Sequence, residues 1–588
     1  MSSGYQRRVS AVVNVDLDRV RVSKLLYALA GVQIAALAIL AHRLYPLTYL
    51  DTGLLWMYEY WLLLVSLIVS ATLIAYYGKT AISGFLATLL FYLTLNMNQV
   101  LYFSVVGGDT TGEIADLTVL SRFSHVDPGL SVNYTFALTL LRLFELDGAV
   151  ATVNVGYHVY FLLLTVGVWL FAYRLGNGFF AFLTAAAYLV VSLVPLNNQF
   201  VPQMLALVFL VFLFYQIDRT GRHWRVFEFG VFLCLSLSHP VFPLFYPLAL
   251  MIRPTVTSLV DSYADDQSFT TAYEVLLHPI TLLRRTLAPS TWLPDDRWMY
   301  LRLGGLWLVY FLGTTPTDLY ALVVGPRVET TGNPLADIAN ALLSGGGSGG
   351  ADAGPQLLYH LVPQSVDAAV TWGSRGLVVA MLGLLVVSLL FNDLESRVLA
   401  EYRLELLLVC VALFVVGWGI QSTYSTRVLQ VAFLPVALFF YGLKRHRKYA
   451  VVLVVLLALC SPVLLANNHV NNTITAGGST IGYHETRAGQ TIDQHYRDAD
   501  AVVVPPHTPY PVGTFDERRA ADIQFILDGD ISAPDTGLMI HSERLAYYIQ
   551  YRNRDCTIRA ENEDIVYDNT VQVVWQSGDR ALLDCQPV

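Results

Sequence analysis

Residues 57–103 read MYEYWLLLVSLIVSATLIAYYGKTAISGFLATLLFYLTLNMNQVLYF, two long apolar runs joined by a short turn that contains Lys79. Each run has about the 20 residues that an α-helix needs to cross the hydrocarbon core of a bilayer. Similar runs recur along the chain, which has 588 residues and is 55% hydrophobic and only 14% charged. Because every backbone polar group must be paired inside hydrocarbon, such runs indicate helices. We therefore expect an all-α polytopic membrane protein.

The runs predict about thirteen transmembrane helices, with the N-terminus in the cytoplasm. They lie near 25–41, 57–76, 82–103, 154–173, 178–194, 200–216, two pieces of 226–252, 303–325, 374–391, 404–420, 427–443 and 449–466. Cytoplasmic loops carry excess Lys and Arg, which places 219–225 and 444–448 on that side. These two markers share a side only if 226–252 crosses twice, so we predict that Pro240 breaks the helix there. The chain is then a multi-pass plasma-membrane protein with an extracellular C-terminus.

Composition divides the chain into three parts. Residues 1–24 form a cytoplasmic segment, 25–466 a transmembrane domain with external loops 104–153 and 326–372, and 467–588 an extracytoplasmic C-terminal domain. The last part has 18 acidic and 9 basic residues and so accounts for the formal net charge of −9. A basic face suited to nucleic acid is absent from the sequence pattern.

The C-terminal segment is predicted to be a small mixed α/β domain. Its residues 501–504 and 571–575 are typical of strands, and 516–527 are typical of a helix. Cys556 and Cys585 would form a disulfide if the segment lies outside the cell, but their spacing leaves the pairing open.

The first external loop carries a cluster of carboxylates in residues 107–116, GGDTTGEIAD. Asp109, Glu113 and Asp116 are spaced i, i+4 and i+7, so they share one face if a helix begins after Gly108. Placing ionised side chains beside a bilayer costs free energy, so such residues usually have a function. The alternatives are an acidic first turn that satisfies the helix dipole and a divalent-cation site at Asp109 and Glu113. Further polar residues follow in the same region, namely Arg122, His125 and Tyr134.

These features resemble the GT-C superfamily of integral-membrane glycosyltransferases, which use sugars linked to polyprenyl phosphate. The likeness begins with an external loop that opens on Gly-Asp, enters a helix and reaches a Tyr-led amphipathic segment, here 134–146. Landmarks of archaeal members follow in the same order over residues 20–466, namely Phe200-Val201-Pro202-Gln203, Ser238-His239-Pro240 and Arg427.

The resemblance implies an inverting transfer of one sugar from a polyprenyl (dolichyl) phosphate to a glycan, lipid or protein acceptor at the outer face. Asp109 matches the carboxylate that acts as base on the acceptor hydroxyl, and Glu113 would assist it. Arg427, with Arg122 in reserve, would hold the leaving phosphate, although an interfacial anchor is the alternative for Arg427. The remaining substrate-binding candidates are Asp116, His125, Tyr134 and His239. For His239 the alternative is a structural hydrogen bond beside the proline.

Two other functional classes stay open. Oligosaccharyltransferase catalytic subunits share this organisation, but they carry adjacent tryptophans in the C-terminal domain, and this chain has none. A transporter or flippase would use the carboxylates to bind a coupling ion, although the sequence lacks the internal repeat that many transporters have.

Overall fold

The structure is a computed structural model, and the described helices among residues 3–313 form a bundle. It describes residues 3–43, 57–78, 80–97, 105–106, 117, 132–145, 148–196, 202–219, 221–239, 241–251, 253 and 297–313, isolated positions between 431 and 495, and nine short strands in all. The helices are α1 Ser3–Arg43, α2 Tyr58–Gly78, α3 Ala81–Leu95, α4 Val132–Leu143, α5 Gly148–Leu175, α6 Gly178–Leu196, α7 Pro202–Gln216, α8 Arg222–Ser238, α9 Phe242–Met251 and α10 Arg297–Gly313.

The described helices have the length and composition of membrane spans. Val22–His42, Tyr58–Gly78 and Val155–Leu175 are long and apolar enough to cross a bilayer, and shorter apolar helices accompany them. Large apolar side chains such as Leu62 and Leu312 are strongly exposed on the outside of the bundle. Such side chains are expected to face lipid, because a water-soluble protein rarely exposes large apolar surfaces. The prediction of a helical membrane protein is thereby confirmed.

The segment 226–252 folds as a helical hairpin. α8 ends at Ser238, and His239 is extended, with φ −160° and ψ 135°, because the residue before a proline is excluded from the helical region. α9 opens with a 3₁₀ turn at Phe242–Leu244 and returns along α8. Its end comes back to the start of α8, since Arg253 forms an ion pair with Asp218. The chain thus reverses direction between Ser238 and Phe242, the region in which the sequence predicts a helix break.

The helix ends collect at two opposite ends of the bundle. At one end, which we call the arginine end, Arg174 and Arg253 both pair with Asp218, beside Arg219 and Arg222. The arginine end thus joins the termini of α5, α7 and α8 and the chain after α9. This end includes residues 219–225, which are predicted from the sequence to be cytoplasmic.

One charge cluster lies inside the bundle, between α8, α9 and α10. Glu228 of α8 is 1% exposed. It accepts hydrogen bonds from Arg302 Nε at 2.8 and 3.1 Å and from Tyr246 Oη at 2.7 Å. Arg225 Nη1 adds a further bond at 2.8 Å. The carboxylate is therefore buried but fully hydrogen-bonded, as an ion in a low-dielectric interior must be.

Two glycines allow α3 and α6 to approach closely. A Cβ atom added to Gly84 would collide with the carbonyl oxygen of Gly178, and one added to Gly178 would collide with the carbonyl oxygen of Thr80. Small residues have this role at many contacts between membrane helices, where backbone proximity supplies packing energy. The glycine pair therefore fixes the distance between the two helices.

Replacement of Gly84 by Ala is expected to lower the free energy of unfolding by about 1–3 kcal/mol, because the added methyl group must push two backbones apart. The measurement is the thermal unfolding midpoint of the purified protein. Gly304→Ala is the matched control, since a Cβ there meets nothing within 4 Å, and alanine favours a helix by up to about 1 kcal/mol. Equal midpoints for the two variants would contradict the close-packing account.

Strands from the C-terminal segment form two sheets. A five-stranded sheet has the order β4-β3-β5-β8-β7, and β6 pairs with β9. The strands are β3 Val502–Val504, β4 Ala520–Asp522, β5 Leu538–Ser542, β6 Arg554–Ile558, β7 Ile565–Asp568, β8 Gln572–Gln576 and β9 Leu583–Pro587. The strands predicted near 502 and 572 are present. The helix predicted over 516–527 is wrong at its centre, because β4 pairs there in parallel with β3.

The register of β6 and β9 places Cys556 directly opposite Cys585. Residues directly opposite each other in an antiparallel pair have Cα atoms about 4.5–5.5 Å apart, a separation that a disulfide can bridge. We expect a disulfide after export, with two protons and two electrons passing to a disulfide-carrying thiol oxidoreductase. Non-reducing digestion and mass spectrometry should find one linked peptide pair, and Cys556→Ser should free one alkylatable thiol. Alkylation of both wild-type thiols without reduction would contradict the pairing.

Candidate functional site

The loop that carries Asp109 begins at a strand held by a distant part of the chain. β1 (Val105–Val106) pairs antiparallel with β2 (Thr480–Ile481), in the register Val105↔Ile481 and Val106↔Thr480. β1 also contacts α5. The backbone is thus anchored three residues before Asp109. Because paired strands lie on one side of a membrane, an even number of crossings must separate β1 from β2, which agrees with the predicted topology.

A buried asparagine caps the C-terminal end of α3. Asn96 follows Leu95, the last residue of the helix, and its backbone N–H and side-chain Nδ2 both donate to the carbonyl oxygen of Tyr92. Residues 98–103 of the predicted span 82–103 lie outside the described residues. Asn96 is 1% exposed. Its Oδ1 accepts a hydrogen bond of 3.1 Å from Tyr157 Oη. Both the Nδ2 and the Oδ1 atom of Asn96 thus have a hydrogen-bond partner, and the side chain links the end of α3 to α5.

A second contact between α3 and α5 orients a histidine. Tyr92 Oη donates to the backbone oxygen of His158 at 3.1 Å and lies 3.2 Å from His158 Nδ1. A hydroxyl has one proton, so both contacts are satisfied when Nδ1 carries the imidazole proton and donates to the tyrosine oxygen. His158 Nε2 is then an acceptor, and it is buried without a partner among the described residues.

α4 supplies the third side of this polar end. Asn133 is fully buried, and its Oδ1 accepts a hydrogen bond of 2.8 Å from Tyr160 Oη. Tyr134, a predicted substrate-binding residue, is half-buried and packs against the apolar core. Phe136 packs against the ring of Tyr160, with 5.1 Å between ring centroids. The amphipathic segment is therefore docked onto α5, next to the hydrogen-bonded cluster.

We call this group the polar cluster, and it comprises Tyr92, Asn96, Asn133, Tyr157, His158 and Tyr160. None of these six side chains is among the site residues predicted from the sequence. Their sequence signal is a polar residue at the end of an apolar run, as with Asn96, or inside one, as with His158. That signal alone does not distinguish a binding group from a structural hydrogen bond.

His239 has a local structural partner. Its Nδ1 accepts a hydrogen bond of 3.1 Å from the backbone N–H of Val241 and lies 3.5 Å from that of Phe242. It thereby supplies an acceptor to N–H groups at the start of α9, where helix donors lack partners. This geometry matches the structural alternative for His239, and a contact with substrate stays a prediction.

The other predicted site residues lie outside the described residues. They are Asp109, Glu113, Asp116, Arg122, His125 and Arg427. Leu117, which directly follows the last carboxylate, is helical and fully buried. Among the described residues, no group of three or more His, Cys, Asp or Glu side chains could hold a metal ion, and the acidic loop is not among them.

No protein-family model matches the chain, and no curated protein matches it. Among solved structures it is similar to the Archaeoglobus fulgidus oligosaccharyltransferase, in a complex with Zn and sulfate and in one tethered to an acceptor peptide. Identity is 12% in both, with TM-scores of 0.40 and 0.42 over 74% and 81% of this chain and 62% and 69% of the other.

It is also similar to ArnT from Cupriavidus metallidurans bound to undecaprenyl phosphate, at 12% identity and a TM-score of 0.31, over 84% of this chain and 97% of that one. The chain thus spans less than two thirds of the first oligosaccharyltransferase chain and nearly all of the ArnT chain. With every TM-score below 0.5, these alignments by themselves assign neither a family nor an activity.

Proposed function

We propose that the chain is a membrane glycosyltransferase that moves a single sugar from a polyprenyl (dolichyl) phosphate to a hydroxyl-bearing acceptor at the outer membrane face. The observation that carries the proposal is the β1–β2 pair. It ties the acidic loop to the segment after the last predicted span, and so supports placing Asp109 on the same side as the polar C-terminal segment. β1 contacts α5, the helix that bears His158 of the polar cluster.

In the proposed reaction, Asp109 accepts the proton of the acceptor hydroxyl. The hydroxyl oxygen then attacks the anomeric carbon, the bond from that carbon to the phosphate oxygen breaks, and the configuration inverts. A carboxylate suits this task because an ionised acid is a base at neutral pH and can sit within hydrogen-bond distance of the hydroxyl. Arg427 would stabilise the negative charge on the departing phosphate with its two-pronged guanidinium.

The polar cluster supports the proposal in a second way. Buried Asn and Tyr side chains at the end of α3 hold it against α5 by directional hydrogen bonds. A site must keep its reacting groups within a fraction of an ångström of the productive geometry, and hydrogen-bonded supporting residues give that precision. The polar cluster would give such support to a catalyst positioned at this end of the bundle.

The test is mass spectrometry of surface glycans and lipid-linked sugars in cells with and without the gene. Loss of one terminal sugar, with the corresponding polyprenyl-phosphate sugar accumulating, is the expected result. Loss of whole glycans from asparagine would indicate an oligosaccharyltransferase. If cells without the gene keep the lipid-linked sugar on one leaflet, and permeabilising their membranes restores sugar transfer, the protein would be a flippase.

A further inference from the structure

At the arginine end, several guanidinium groups lie close together. Arg174 and Arg253 bind the two oxygens of one carboxylate, that of Asp218. Arg174 Nη1 also donates to the backbone oxygen of Tyr215 at 2.6 Å. These contacts place both guanidinium groups at the same end of the bundle.

Arg219 is held by aromatic rings instead of a carboxylate. Its guanidinium carbon lies 5.0 Å from the ring centroid of Tyr215 and 4.5 Å from that of Trp224. Its Nη2 donates to Tyr215 Oη at 2.8 Å. Cation–π contacts position a guanidinium without cancelling its charge. In the described part of the chain, the charge of Arg219 therefore remains available to an anion.

Arg222, the first residue of α8, adds a second available charge. It is exposed, and no hydrogen bond or ion pair with a described residue engages it. Arg225, one turn further on, is 35% exposed and shares the carboxylate of Glu228 with Arg302. Among the described residues, Arg219 and Arg222 are thus the members of the patch that pair with no carboxylate.

The surface beside these arginines is apolar. Val226 and Phe227 are 68% and 46% exposed, and Tyr173 of α5 is 40% exposed. On a membrane helix such side chains contact acyl chains. A soluble anion would use the arginines alone, whereas an amphiphile with an anionic head would use both surfaces. The combination of charged and apolar surface therefore favours an amphiphile with an anionic head over a soluble anion.

We propose that the arginine end is a binding site for an anionic phospholipid, whose phosphate headgroup lies against Arg219 and Arg222 and whose acyl chains lie along Val226 and Phe227. Guanidinium groups match phosphate oxygens in geometry and charge. The site is independent of the sugar-transfer chemistry, since it lies at the end of the bundle away from the polar cluster.

The test uses the full-length protein in detergent, with phosphatidylglycerol added in steps and the thermal unfolding midpoint as the readout. Phosphatidylglycerol should raise the midpoint in a saturable way, and phosphatidylcholine should not. Each lost arginine should weaken the apparent affinity roughly five-fold, and Arg219→Gln with Arg222→Gln together roughly 25-fold. Arg222→Gln is the safest variant for folding, because its side chain has no partner to lose. Arg142→Gln, an exposed arginine of α4, should leave the response unchanged.

Three outcomes would overturn the proposal. The first is an equal response to phosphatidylcholine, which would indicate a general lipid effect. The second is an unaltered phosphatidylglycerol response in the double variant, which would place the headgroup elsewhere. The third is equal protection by soluble glycerol phosphate, which would make the ligand a free anion.

Discussion

Asp109→Asn is expected to lower sugar transfer by roughly 10²- to 10⁴-fold, the usual contribution of a positioned general base. An amide has nearly the size and shape of the carboxylate, but it cannot accept the hydroxyl proton. The protein should therefore fold and bind its donor as before. The measurement is single-turnover transfer from a polyprenyl-phosphate sugar to acceptor in purified protein, with the unfolding midpoint recorded in parallel.

The first external loop contains a matched control for this variant. Asp127→Asn removes the same charge from the same loop at a position without a proposed role, so it should keep activity within a few-fold of wild type. Glu113→Gln should have an intermediate effect if that residue assists the base. Wild-type rates in Asp109→Asn, or an equal loss in Asp127→Asn, would remove Asp109 from the chemistry.

The sequence predicts the described helices well because bilayer thickness sets their length. Apolar runs near 57–76 and 178–194 correspond to helices within a few residues, since no shorter or more polar segment satisfies its backbone in hydrocarbon. Pro240 ends α8 for a similarly local reason. The end of α3 is different, because it depends on Asn96 bonding Tyr157 of another helix. The strand at 520–522 likewise depends on a neighbouring strand.

The site is harder to predict from sequence than the spans are. The spacing of Asp109, Glu113 and Asp116 indicates a functional loop, but sequence spacing does not reveal contacts between residues on different helices. Tyr92 and His158 lie on different helices, and their contact arises only from the packing of α3 on α5. The same holds for β1 and β2, since two-residue strands carry almost no periodicity. Long-range partners of this kind need coordinates.

The buried charge cluster around Glu228 gives the second large prediction, which concerns stability. Glu228→Gln keeps a side chain of nearly the same shape but removes the negative charge that faces Arg302. The side chain of Arg302 is only 10% exposed, so its guanidinium would be left without a counter-charge in the bundle interior. Breaking one partner of a buried ion pair costs about 3–5 kcal/mol. The unfolding midpoint should fall accordingly.

Two further variants separate the charge effect from general damage. Arg225→Gln removes the partner that is 35% exposed, so it should cost no more than about 1 kcal/mol. The double variant Glu228→Gln with Arg302→Gln removes both buried charges, and it should be more stable than Glu228→Gln alone because no unpaired ion remains in the bundle interior. Together with the wild type and the single variants Glu228→Gln and Arg302→Gln, this double variant completes a double-mutant cycle whose coupling energy isolates the ion pair. Additive losses, with no recovery in the double variant, would show that Glu228 and Arg302 act through packing and not through charge.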